Sequence, residues 1–178
     1  MPRLGTLDLV PATSRPDLLA DPVRRALDAW PHADEVLLAV IDPALADTAA
    51  MSEAYDVSLE ASANCVVVMG RRGGEERTAA CLVRADTRAD VNTVVKRLLD
   101  VRKCSFLDHD RAVAETGMEH GGITPVGLPD GWRLLLDERV VDVEQAVVGS
   151  GVRGSKLVLP GRLLAELPGA EVVAGLAG

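Results

Sequence analysis

The sequence predicts an α+β fold: a single domain, residues 1–178, built on a mixed, mostly antiparallel sheet that is curved or closed into a partial barrel and flanked by helices. Three observations predict it. Helical and strand-length apolar runs are interleaved without the strict alternation of βαβ units. Glycine-rich turns recur between strand-length runs, as hairpins require. The chain has 178 residues, 48% hydrophobic and 26% charged, which suits one globular domain with a sizeable core and excludes a disordered chain.

Residues 1–33 read as an N-terminal extension and a first helix. Asp21-Pro22 is a cap-then-proline signal, and Val23, Ala26, Leu27 and Trp30 fall on one helical face. Glu35 to Ile41 is an apolar run of strand length. Asp42-Pro43 repeats the cap signal and predicts a second helix to about Tyr55. Asn64–Met69 and Arg77–Ala85 predict a hairpin about the glycines at 70, 73 and 74. Asp90 caps a third helix whose Val91, Val94, Val95, Leu98 and Leu99 make one apolar stripe. A short strand at Lys103–Leu107, a helix from Asp108 to Gly117 and a Gly-rich loop, Gly121–Gly131, follow. Strands at Trp132–Asp137, Glu144–Val148 and Lys156–Leu159, a helix at Gly161–Leu167 and a strand at Glu171–Val173 complete the order.

Composition bounds the function. No apolar run approaches the roughly 20 residues needed to cross a bilayer, and the first residues lack a secretory pattern. Cys65, Cys81 and Cys104 are odd in number and show no CxxC spacing, which speaks against disulfides and a zinc site and predicts a cytoplasmic protein with no metal or cofactor. The net charge of −8 is unevenly spread. Residues 1–60 hold four Arg/Lys against eleven Asp/Glu, whereas residues 71–111 hold ten against seven. A local basic face of this kind permits phosphate contacts, because salt confines each charge to about 10 Å.

Two stretches carry candidate chemistry. Thr116 to Gly127 contains Gly121-Gly122-Ile123-Thr124-Pro125, a loop whose backbone N–H groups can approach a ligand closely and hold a developing oxyanion. Gly149-Ser150-Gly151-Val152-Arg153-Gly154 contains a G-x-G-x-x-G string, but a strand rather than a helix follows it, so the dinucleotide-binding reading fails. A tight turn forming a second pocket wall is the remaining reading. No Ser–His–Asp or Cys–His set is legible, and His120 stands in the loop without a visible orienting partner.

Gly121-Gly122-Ile123-Thr124-Pro125-Val126-Gly127 resembles the GG-[IV]-[ST]-P-x-G loop of the YbaK/prolyl-tRNA-synthetase-associated editing-domain family. Leu134-Leu135-Leu136-Asp137-Glu138 resembles the strand that follows it, and Gly149 to Gly154 the family's glycine-rich turn. The order of elements is similar from about Asp34 to Ala174, residues 34–174. The resemblance implies a hydrolase that removes a wrong amino acid from the 3′ acceptor end of tRNA, with aminoacyl-tRNA as partner. It implies that Gly121 and Gly122 polarise the ester, and that Ile123, Thr124, Pro125, Gly149, Ser150 and Gly151 bind substrate. The family usually carries a lysine at the start of the strand after the second helix, where this chain has Asn64. Many members carry an acidic residue at the place of Lys156. Lys156 is therefore expected to take over the cationic role beside Asn64. The alternatives are a binding relative that kept the pocket but lost hydrolysis, and a small-molecule enzyme.

Overall fold

The computed structural model describes residues Met1–Gly178, folded around two five-stranded sheets. In the first, β1 (Arg3–Leu4) and β2 (Leu7–Pro11) form a hairpin about Gly5, which turns with φ 55. That hairpin adds onto β3 (Leu37–Val40), and β9 (Ser155–Leu159) and β8 (Ala146–Gly149) complete the order β1-β2-β3-β9-β8, antiparallel throughout. The second sheet is centred on the long hairpin of β4 (Ala63–Arg72) and β5 (Glu75–Arg84). Strand β6 (Cys104–Phe106) pairs antiparallel with β4, while β7 (Arg133–Asp137) runs parallel to β5 and to β10 (Ala170–Val173).

The sheets meet at one bridge, Ser62 with Val147, where the Val147 N–H donates to the Ala61 carbonyl at 2.8 Å. The result is a curled half-barrel, mostly antiparallel, flanked by α1 (Asp21–Ala29), α2 (Thr48–Tyr55), α3 (Lys96–Leu99), α4 (His109–Thr116), α5 (Glu138–Val141) and α6 (Gly161–Leu164). No helix is long and apolar enough to cross a membrane.

Burial explains the pattern. The largest core fills the half-barrel with Leu27, Leu38, Leu82, Leu136, Leu157 and Leu163. A second core packs Val91, Val95 and Leu99 onto Val68, Cys81 and Leu135. Strand β5 is thus covered on both faces, and Ala79 to Val83 is buried without a gap. A strand buried on both sides reads as a continuous apolar run rather than an alternating one.

Several elements differ from expectation for local reasons. The β1–β2 hairpin is additional; it is short, and only Leu7 and Leu9 alternate into the core. Asp42 caps a single 3-10 turn, Pro43–Leu45, by accepting from the Ala44 N–H, and α2 begins afresh at Thr48. Asp21 is the first residue of α1, with Ala20 at the cap position. The third helix opens with a wide π turn, Val91–Val95, before α3. The Gly161–Leu167 helix ends at Leu164, and the strand expected at Glu144–Val148 is shifted to Ala146–Gly149.

Candidate active site

A cleft of about 370 Å³ opens where the two sheets join. Ser62 and the first residues of β4, Ala63 to Val67, form one wall. Val147, Val148 and Gly149 of β8 and Lys156 of β9 form the second. The start of α2 contributes Asp47, Thr48 and Met51, and the loop after α4 contributes His120, Gly121 and Ile123. Asn64, Gly121, Ile123, Gly149 and Lys156 are therefore gathered on one cavity from four separate stretches of chain.

The two glycine-rich segments lie backbone to backbone. The Gly151 N–H donates to the Gly122 carbonyl at 2.7 Å, and the Glu119 N–H to the Gly151 carbonyl at 2.8 Å. A side chain on Gly149 would lie 2.5 Å from the Gly122 oxygen, and one on Gly122 would lie 2.8 Å from the Val152 nitrogen. Glycine at both positions is what lets the loops approach. Gly122 spends its own N–H on the Glu119 carbonyl at 2.9 Å, so it has no donor left for a ligand. The amides of Gly121 and Ile123 have no backbone acceptor, and both residues line the cleft.

The remaining expected residues lie outside the cleft wall. Thr124 is fully buried. Pro125 borders a different cavity, with Trp30 and Trp132. The Ser150 hydroxyl is buried against that of Ser155 at 2.7 Å, and Gly151, at φ 86, turns the chain between them. These residues brace the two loops from behind.

Lys156 is only 7% exposed and has no ion-pair partner. Burial holds its amine below the ordinary lysine value, the Arg153 guanidinium adds to this, and Asp47 opposes it. Asn64 accepts the Thr48 hydroxyl on Oδ1 at 2.6 Å, which leaves its amide hydrogens free. The Ser62 hydroxyl, on the same wall, is buried without a partner. An orphaned hydroxyl and an unpaired ammonium are each costly, and together they mark a cavity built for a polar ligand. Cys65 lines the cleft, but burial, with Cys81 nearby, pushes its thiol up to about 12, so it stays protonated and inert.

Asp47, Thr48, Ser62, Phe106 and His109 line the cleft without a legible signal in the sequence. The His109 and His120 rings lie 4.5 Å apart, tilted by 34°, so His120 does have a neighbour. His109 opens α4 and His120 follows its end, and only the fold-back of the loop after Gly117 brings them together.

The fold and its cleft define a single-domain α+β half-barrel with one polar cavity at the seam of its sheets. The sequence pattern of the aminoacyl-tRNA editing domain matches residues 42–167, and the chain belongs to that family. A proline–tRNA ligase from Listeria welshimeri serovar 6b is 32% identical over 81 residues, which are 45% of this chain and 14% of the ligase. Among solved structures, the hypothetical protein APE2540 superposes with a TM-score of 0.76 at 22% identity, covering 89% of this chain and 100% of that one. A protein proposed to be a trans-editing enzyme for prolyl tRNA synthetase superposes at 0.72 with 19% identity, covering 88% of this chain and 97% of that one.

Proposed function

We propose that the chain hydrolyses the ester joining a wrongly attached amino acid to the acceptor end of tRNA, with the aminoacyl group held in the cleft. The observation that carries this reading is one cavity lined by free main-chain donors at Gly121 and Ile123 and by an unpaired amine at Lys156. Water adds to the ester carbonyl, and the carbonyl oxygen becomes an oxyanion that takes hydrogen bonds from the two amides and from the Lys156 ammonium. Collapse of that intermediate breaks the bond to the ribose oxygen. The ribose hydroxyl keeps the proton given up by water, and the free amino acid leaves. Asn64, fixed by Thr48, offers its amide to the same cleft.

One oxyanion donor is worth roughly 3–4 kcal/mol in other hydrolases. Lys156→Ala should therefore slow deacylation by about 100-fold or more while leaving tRNA binding measurable. Undiminished ester loss in that variant, across a panel of mischarged tRNAs, would remove the proposal. The second reading, a tRNA-binding relative without turnover, is favoured by the neutral Asn64 where the family's lysine is expected. Retention of charged tRNA with no ester loss above background by the wild type would establish it.

A further inference from the structure

Phe, Tyr and Trp number four in this chain, and three are accommodated inside the fold. Trp30 is buried, Trp132 packs beside Leu107 and Ala112, and the Tyr55 hydroxyl accepts from the Asp42 N–H at 2.8 Å. Phe106 is 67% exposed, although its backbone is pinned. It pairs with Val68, and the next N–H, of Leu107, reaches the Val67 carbonyl at 2.9 Å. Cys104, on the same face of β6, is buried beneath Val91, Val95 and Leu99. The strand runs past that cover, so Phe106 emerges at the cleft, which it lines. A ring left in water forfeits a large transfer free energy, so its placement at a site mouth calls for a ligand.

His109 and His120 line the same cleft, both exposed, with ring centroids 4.5 Å apart. Two cations without carboxylate partners accompany these rings: Arg153, and Lys156 on the cleft wall. The Arg153 Nη1 donates to the His120 carbonyl at 3.0 Å and its Nε to the Pro43 carbonyl at 3.2 Å, and its guanidinium has no carboxylate partner. Planar π faces bordered by unpaired cations fit a nucleobase on a phosphate backbone, because every base presents a face that stacks. An apolar protein segment would leave those cations unused.

We infer that Phe106, with His109 and His120, forms a stacking seat for the terminal base of the tRNA acceptor end, next to the cavity that receives the ester. The inference rests on the editing reading above and names the group that places the ester in the cleft.

The test uses an acceptor-stem minihelix carrying 2-aminopurine as its 3′-terminal base, whose fluorescence falls on stacking. Wild type quenches it. Phe106→Ala binds about tenfold more weakly and loses the quenching, the loss expected for one base–aromatic stack. Phe106→Trp keeps both, with far-UV circular dichroism unchanged in each variant. On a minihelix whose terminal nucleotide is abasic, wild type and Phe106→Ala bind equally. Binding without quenching, or a Phe106→Ala affinity equal to wild type, overturns the seat. So does a loss that persists on the abasic minihelix, which would make Phe106 a contact for something other than the base. If deacylation by wild type is intact in those cases, the editing reading stands alone; no binding of the minihelix overturns both.

Discussion

Replacing Gly149 by alanine isolates the contact between the two glycine loops. The backbone there is one an L-residue can adopt, so the cost is steric. The added carbon would sit 2.5 Å from the Gly122 oxygen and 2.8 Å from the Ile123 oxygen, both main-chain atoms with no rotamer to yield. Reaching an ordinary separation moves the loop by about 1 Å. Overpacking of this kind costs roughly 1–3 kcal/mol. At about 2–4 °C per kcal/mol for a chain of this size, Tm falls by roughly 2–12 °C. Because the displaced segment carries the Gly121 and Ile123 donors, ester hydrolysis falls further, by about 100-fold for a 1 Å misplacement. Gly74→Ala is the control. Its φ of 81 makes alanine strained by roughly 1–2 kcal/mol, but nothing lies within 4 Å and the tip of the β4–β5 hairpin is not part of the cleft. It should lower Tm and leave deacylation at the wild-type rate. Thermal melts and single-turnover hydrolysis of mischarged tRNA report both effects. Gly149→Ala with wild-type Tm and rate would refute the steric argument, and equal rate losses in the two variants would refute its link to the donors.

Two further outcomes follow from charge. Because burial depresses the Lys156 pKa below its unfolded value of 10.5, the cost of carrying the charge is fully present at low and neutral pH and is relieved as pH rises from the folded value toward 10.5. Lys156→Met should therefore stabilise the fold by about 1 kcal/mol at pH 7, with the gain shrinking at alkaline pH in urea melts; a pH-independent gain would contradict this. Arg133 grips Glu171 through two bonds of 2.9 and 2.7 Å, joining β7 to β10, and holds the Glu171 carboxyl below the ordinary carboxylate range. Its contribution is present above the unfolded pKa and lost as pH falls through the folded one. Both side chains are more than a third exposed, so Glu171→Gln costs only about 0.5 kcal/mol at pH 7, and nothing once the carboxyl is protonated in wild type.

The sequence carried the architecture further than the site. Periodicity marked the β4–β5 hairpin and the apolar stripe ending in α3, because both bury long regular faces. It did not mark the β1–β2 hairpin, whose few residues become strand only by pairing with β3. Nor did it separate the 3-10 turn at Pro43–Leu45 from α2, since a cap-then-proline signal opens either kind of turn. At the site, the glycine string pointed to the loop, and Asn64 and Lys156 stood out against the family pattern. Local sequence was silent on which glycine keeps a free N–H. That depends on Glu119 folding back onto Gly122 and Gly151, contacts settled by tertiary packing. The two histidines were equally opaque, since one opens α4 and the other lies beyond its end, on a loop that must first fold back.

The seam at Ser62 and Val147 has a mechanical meaning. Both residues face the cleft, so the only strand-like tie between the two sheets is also part of the cavity wall. A molecule lodged there touches both halves of the barrel and acts as a clasp across them. Occupancy should therefore be felt far from the cleft, as slower opening of the entire fold.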